Sequence, residues 1–131
     1  MKSVTVIFCL ALLLFSCGED PRDSLSYDDR GMREVAAQDL ELRDSLQYVR
    51  GEDSPFTGVA VEFYESGAEK VRADVVEGVY HGRTVSFYEE GGVELEGTMK
   101  NGEIHGEVVV YFEEGYVRDR LLYEQGELVD R

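Results

Sequence analysis

Apolar residues alternate with other residues along three stretches of the chain, and these stretches follow one another at a fixed distance of 24 residues. A side-chain period of two places alternate residues on the same face of a β-strand. The pattern therefore predicts three equivalent strands. Their shared apolar face carries Val59, Val61 and Phe63 in the first, Val85 and Phe87 in the second, and Val109 and Tyr111 in the third.

Three series of glycines keep the same spacing and delimit the strands. They are Gly58, Gly82 and Gly106 at the start of each copy, Gly67, Gly91 and Gly115 at a turn within it, and Gly78, Gly102 and Gly126 at the link to the next. Glycine adopts positive φ without steric cost, so we expect positive φ at the turn and link positions. A second alternating stretch follows each turn, and each copy is therefore predicted to be a β-hairpin.

A single hairpin cannot bury a face, so the three hairpins are expected to pair edge to edge. The predicted fold is all-β: an elongated, single antiparallel sheet that grows by about 9 to 10 Å per repeat. An aromatic pair recurs in step with the glycines and should form one ladder on each face of the sheet. The two ladders are Tyr64, Tyr88 and Phe112, and on the reverse face Phe63, Phe87 and Tyr111.

The first residues have the pattern of an export signal. Lys2 precedes an apolar run from Val4 to Phe15, which is too short for the ~20 residues that span a bilayer. Residues 1–16 resemble a bacterial lipoprotein signal peptide, and this resemblance makes Cys17 the lipidated residue. An ordinary signal peptide with an unrelated cysteine is the alternative. Lipidation would tether the protein to the bacterial cell envelope, where we expect the outer membrane. The acidic residues after Cys17 resemble those of lipoproteins displayed on the outer surface, and a plain solvated tether is the alternative.

The segment between the signal and the repeats is polar and charged at first. Residues 17–38 are predicted to be an acidic, mostly disordered tether, and residues 39–57 a lead-in segment to the repeats at 58–131. A partial apolar stripe predicts a short helix over residues 34–43. Residues 46–50 are predicted to form a lead-in strand, followed by a loop over residues 51–57.

Charge and cysteine content exclude several functions. The chain has 28 Asp and Glu against 13 Lys and Arg, a net charge of −15. This charge repels nucleic acid and anionic lipid headgroups, and we expect no nucleic-acid partner. Removing residues 1–16 takes away Cys9 and leaves Cys17 for lipidation, so no thiol pair remains for redox chemistry or zinc. We expect no cofactor and no metal.

The remaining candidate side chains are carboxylates and two histidines. The Glu pairs at residues 89–90 and 113–114 fall at predicted turns in water, where a raised catalytic pKa is not expected. His81 and His105 lie one repeat apart, too far to share a metal at about 2.1 Å, and are expected to close the links between repeats. Glu62 on the aromatic strand is the carboxylate retained for a glycan-binding or hydrolytic alternative.

The repeat resembles a known family. The pattern Gly-x-x-Val-x-Phe-Tyr-Glu-x-Gly, followed by a return strand and Asn-Gly-x-x-His-Gly, is similar to the MORN repeat in the bacterial variant of the YwqK-family antitoxins. Residues 46–58 resemble the lead-in of those proteins. The chain departs from the family in having no Trp on the first strand and no His in the third copy.

These observations favour a binding protein over an enzyme. The expected function is a non-enzymatic, lipid-anchored scaffold or protein-interaction surface of the envelope. We expect it to bind a protein partner through aromatic residues flanked by acidic residues. The alternative reading of these aromatics is that they only hold the sheet together. The family resemblance implies a second function, an antitoxin or immunity protein that neutralises a basic toxin. A third is an envelope glycan binder or hydrolase.

Overall fold

The computed structural model describes residues 26–131, which form twelve β-strands and one short 3-10 helix at Ala37–Asp39. The predicted signal peptide and Cys17 lie outside these residues. The strands are β1 Ser26–Tyr27, β2 Arg33–Ala36, β3 Leu40–Arg43, β4 Leu46–Val49, β5 Gly58–Phe63, β6 Glu69–Val76, β7 Val79–Phe87, β8 Val93–Lys100, β9 Glu103–Ile104, β10 Gly106–Tyr111, β11 Val117–Glu124 and β12 Glu127–Asp130.

Ten of these strands form one sheet in the order β1-β2-β5-β6-β7-β8-β10-β11-β12, with β9 also on β8. The three repeats are the antiparallel hairpins β5–β6, β7–β8 and β10–β11, as the sequence predicts. Each hairpin pairs with the next through its return strand. The all-β class and the sheet of hairpin repeats are thus confirmed. One pair of strands in this sheet is not antiparallel: β2 runs parallel to β5.

The turns repeat as closely as the strands. Within the hairpins, Gly67, Gly91 and Gly115 have φ of 91°, 112° and 93°. At the links, Gly78, Gly102 and Gly126 have φ of 83°, 85° and 84°. Each link glycine follows another residue with positive φ, which defines a type I′ turn. These preceding residues are Glu77, Asn101 and Gln125, and the repeat pattern alone does not predict their positive φ.

The predicted helix over residues 34–43 is wrong. This segment contains β2, the 3-10 helix and β3. Its apolar stripe is accounted for by tertiary contacts: Val35 and Leu40 pack against the buried cluster of Phe56, Ala60 and Val75. Pairing with β5 and burial against this cluster outweigh the weak helical pattern.

Two short strands of the sheet, β1 at Ser26–Tyr27 and β2 at Arg33–Ala36, lie within residues 17–38, the predicted tether. The lead-in strand over residues 46–50 is confirmed by β4 at Leu46–Val49. It pairs with β3 in a second, two-stranded sheet that the sequence did not predict. The N-terminal edge of the repeats is therefore covered by β2 and β1, and the lead-in segment packs against one face of the sheet there.

The sheet buries residues on both faces near its N-terminal end. On one face, Phe56, Ala60 and Val75 form a cluster that the lead-in segment covers. On the reverse face, Val59 and Val61 are 1% and 3% exposed. Strand β11 in the third repeat is largely exposed by comparison. The fold is thus best packed where the lead-in segment lies and most open at β11 and β12.

Candidate functional site

The predicted aromatic surface divides into exposed and partly exposed members. Phe63 and Phe112 are 48% and 46% exposed, and they lie in the first and third repeats. Glu62 is also exposed, with its carboxylate 3.7 Å from the Lys70 ammonium. The members that are only partly exposed are Tyr64, Phe87, Tyr88 and Tyr111. The predicted surface is therefore not a continuous exposed aromatic face.

Tyrosine hydroxyls join each repeat to the next. The Tyr64 hydroxyl donates to the carbonyl oxygen of Phe87 at 2.7 Å, and the Tyr88 hydroxyl donates to that of Tyr111 at 2.6 Å. The third copy has Phe112 at this position, where the described residues contain no following hairpin. The sequence shows this difference, because the three equivalent positions hold Tyr64, Tyr88 and Phe112. The predicted ladder of aromatic rings did not include hydrogen bonds from the tyrosine hydroxyls.

Replacing Tyr88 with phenylalanine should lower the free energy of unfolding by about 1 kcal/mol, because one part-buried hydrogen bond between repeats is lost. Chemical denaturation of the full chain measures this change. Tyr116→Phe is the matched control, because Tyr116 is 74% exposed. The control should change stability by less than about 0.5 kcal/mol. Equal effects at the two positions would contradict the role of the Tyr88 hydroxyl.

The histidines close the links between repeats, as the sequence predicts. The Asn101 amide donates to His81 Nδ1 at 3.2 Å, and the Gln125 amide donates to His105 Nδ1 at 3.5 Å. Thr57 stands one repeat before His81, and its hydroxyl oxygen accepts from the Glu77 amide at 2.8 Å. All three links are thus closed by a side chain at the same repeat position. The repeat spacing predicted that the histidines close the links, but it was not used to predict the same role for Thr57.

An arginine latch holds the N-terminal segment to the reverse face of the sheet. The Arg30 guanidinium donates two hydrogen bonds to the Asp74 carboxylate, at 3.1 and 2.8 Å. Asp74 also accepts from the Arg83 amide at 3.0 Å. Burial, the largest influence, acts to raise the pKa of Asp74, but these hydrogen bonds outweigh it and the pKa is lowered. Asp74 is therefore an ionised, structural residue of this latch.

A shallow groove crosses the opposite face of the sheet. Its floor is a row of small residues on adjacent strands, in which Ala60 pairs with Ala73 and Ala73 with Thr84. Tyr80 and Met99 stand on one side, and Glu62 on the other. Burial and the negative charge of Glu62 raise the pKa of the Tyr80 phenol. The groove has a volume of about 250 Å³ and is open to solvent.

Exposed apolar side chains are concentrated in the third repeat. Nine large apolar side chains are exposed in residues 28–131, and six of them lie between residues 112 and 129. Three of the six lie together at the turn between β10 and β11, and we call these three the C-terminal apolar patch. A group of exposed apolar residues of this kind marks an interaction surface more often than scattered ones do. The patch consists of Phe112, Tyr116 and Val117, whereas Leu122, Leu128 and Val129 lie at the other end of β11.

Residues 26–131 contain no helix that is long and apolar enough to cross a membrane. The same part of the chain contains no group of three or more His, Cys, Asp or Glu side chains placed to hold a metal ion.

No protein-family model, curated protein or solved structure matches this chain. The resemblance to MORN repeats therefore remains a prediction from the sequence pattern.

Proposed function

We propose that this protein is a non-enzymatic, lipid-anchored repeat protein of the bacterial cell envelope that binds a partner protein. In this proposal the repeats are of the MORN type and Cys17 carries the lipid. Strands β1 and β2 cover the N-terminal edge of the described sheet, and the lead-in segment packs on one of its faces. In this proposal the third repeat, at the opposite end of the described sheet, binds the partner.

One observation carries the proposal: the C-terminal apolar patch. A chain with this many acids has ample polar surface, and the first two repeats leave only Phe63 and Val76 exposed among their large apolar residues. The patch lies beside the exposed acids Glu113 and Glu114. Aromatic anchors bordered by charge favour protein recognition, because the rings supply affinity and the charges orient the approach.

Capture from solubilised envelope membranes by the full chain tests the proposal. We expect one enriched protein whose recovery falls at least tenfold when Phe112→Ser and Tyr116→Ser are combined. Both side chains are exposed, so folding should be preserved, and circular dichroism checks this. Leu42→Ser is the matched control, because Leu42 is 66% exposed in β3 and lies outside the patch. Recovery that is equal for all three proteins, or no enrichment at all, would refute the proposed function.

A further inference from the structure

The outer edge of β11 has an unpaired stretch. Strand β12 pairs only with residues 122–124 of β11, so no described strand pairs with Val117–Leu121 on that side. An unpaired strand edge presents backbone N–H and C=O groups that can accept another strand. At the other end of the sheet, β2 and β1 cover β5. The described sheet therefore has one long edge that is available for strand addition.

The first two repeats show how such an edge is filled. The return strand of the first repeat pairs with β7 through Arg72 and Val85, and that of the second pairs with β10 through Glu96 and Val109. Arg120 occupies the equivalent position in the third repeat. The chain thus contains a template for the strand that would complete this edge. That strand runs antiparallel to β11 and follows the apolar alternation of β7 and β10.

The charges on β11 indicate which charged residue an incoming strand would carry. Arg118 and Arg120 are 48% and 59% exposed in a strongly acidic chain. The equivalent arginine of the first repeat, Arg72, contacts the two carboxylates of Glu34 and Glu69. Within the described part of the chain, Arg120 contacts the carboxylate of Glu107 alone, at 2.6 Å. Arg72 takes these partners from its own strand and from β2, on the side away from β7, so the carboxylate of the incoming strand is inferred from Arg120 itself: a carboxylate directly opposite this exposed guanidinium would form a favourable cross-strand charge pair.

A second copy of the chain fits this edge poorly. Two antiparallel strands related by a two-fold axis perpendicular to the sheet have one residue opposite itself. Within the open, charged part of β11 that residue would be Arg118, Asp119 or Arg120. Each choice sets like charges directly opposite each other, which is destabilising. Centring the pair on Val117 would set residues 118–121 opposite the turn at 113–116, and centring it on Leu121 would require the edge that β12 already occupies.

We propose that the outer edge of β11 binds an antiparallel β-strand of a partner protein that alternates apolar residues and places a carboxylate opposite Arg120. This inference rests on the proposed function, because it names the chemistry of the partner that the third repeat would bind. Backbone hydrogen bonds supply affinity in such strand addition, and the side chains supply selectivity. The apolar residues of the strand would continue the C-terminal apolar patch.

Two peptides copied from the chain's own template test the proposal. Both reproduce residues 107–112 with blocked ends, one with Val109→Glu and the other with Val109→Lys, so that the changed residue lies opposite Arg120. Fluorescence anisotropy with the full chain measures their affinities. We expect the Glu peptide to bind at least fivefold more tightly, and Arg120→Glu to reverse this preference. Hydrogen exchange should slow at residues 117–121 when the Glu peptide is bound.

The matched control is Arg83→Glu, which changes the net charge equally but lies on β7, whose neighbours β6 and β8 are both present. It should leave the preference unchanged. Absence of saturable binding, an unchanged preference in Arg120→Glu, or protection elsewhere would refute the edge proposal. Protection of residues 117–121 in a dimer without peptide would refute it in favour of a second copy. A partner captured equally by wild type and Arg120→Glu would refute the edge alone and leave the proposed function intact.

Discussion

Replacing Gly78 with alanine is expected to lower the free energy of unfolding by about 3 kcal/mol, because the change combines backbone strain with a clash. Gly78 has φ of 83°, which disfavours any residue with a Cβ atom. The added Cβ would lie 2.8 Å from Cβ of Leu46 and 3.1 Å from the backbone nitrogen of Gln47. The same peptide units are joined by a hydrogen bond from the Gln47 amide to the Gly78 carbonyl at 2.8 Å. The β3–β4 hairpin would therefore be displaced from the link.

Gly102→Ala separates the effect of backbone strain from that of the steric clash. Gly102 has the same turn geometry, with φ of 85°, but nothing lies within 4 Å of its added Cβ. Its replacement should cost about 1 kcal/mol, the backbone strain alone. Urea denaturation of the two full-length variants measures both values. Equal losses at Gly78 and Gly102 would show that the lead-in hairpin does not pack on the first link.

Loss of the Asp74 carboxylate is expected to produce the second large effect. Asp74→Ala removes both hydrogen bonds from the Arg30 guanidinium to Asp74, leaving it the contact with Asp28, and leaves the Arg83 amide without its side-chain partner. Breaking a fully buried ion pair costs more, but Arg30 is 44% exposed and can return to water. We therefore expect a loss of about 2 to 3 kcal/mol at pH 7. Asp119→Ala, at an exposed ion pair, should cost less than about 0.5 kcal/mol.

The Asp74 contribution should depend on pH in one direction. Its folded-state pKa lies below the ordinary value of about 3.9, so its stabilising effect is fully present above that value. The effect is lost as the pH falls through the lowered folded pKa. The stability difference between wild type and Asp74→Ala should thus shrink progressively below about pH 4. A difference that stays constant from pH 7 to pH 2 would contradict the ion pair.

The repeats could be predicted from the sequence because their signals are local and occur three times. Gly67, Gly91 and Gly115 fix the hairpin turns, and the alternation between them fixes which residues share a face. The lead-in segment offered no such repetition. Val35 and Ala36 are too short a pattern to separate helix from strand, and their parallel partner β5 begins more than twenty residues later. Pairing with β5 and packing against the buried cluster determine the structure of the lead-in segment and β2.

The candidate site was predicted in part for similar reasons. The aromatic series was visible, but the acceptors of the Tyr64 and Tyr88 hydroxyls are backbone carbonyls, which carry no sequence signature. Asp74 could have been singled out, because the equivalent positions in the other copies are Thr98 and Leu122. A charge at a position that is otherwise uncharged indicates a specific partner. Arg30, the partner, lies outside the repeats and was not predictable from the period.

Backbone hydrogen exchange of the full chain, resolved by residue, tests the central claim that three equivalent hairpins form one sheet covered at its N-terminal end and open along β11. Strands β5, β6 and β7 have neighbours on both sides, so their amides should exchange most slowly. Amides of residues 117–121 that point away from β10 should exchange rapidly in the monomer. Slow exchange at all amides of residues 117–121 in the monomer, or rapid exchange throughout β5–β7, would contradict this arrangement.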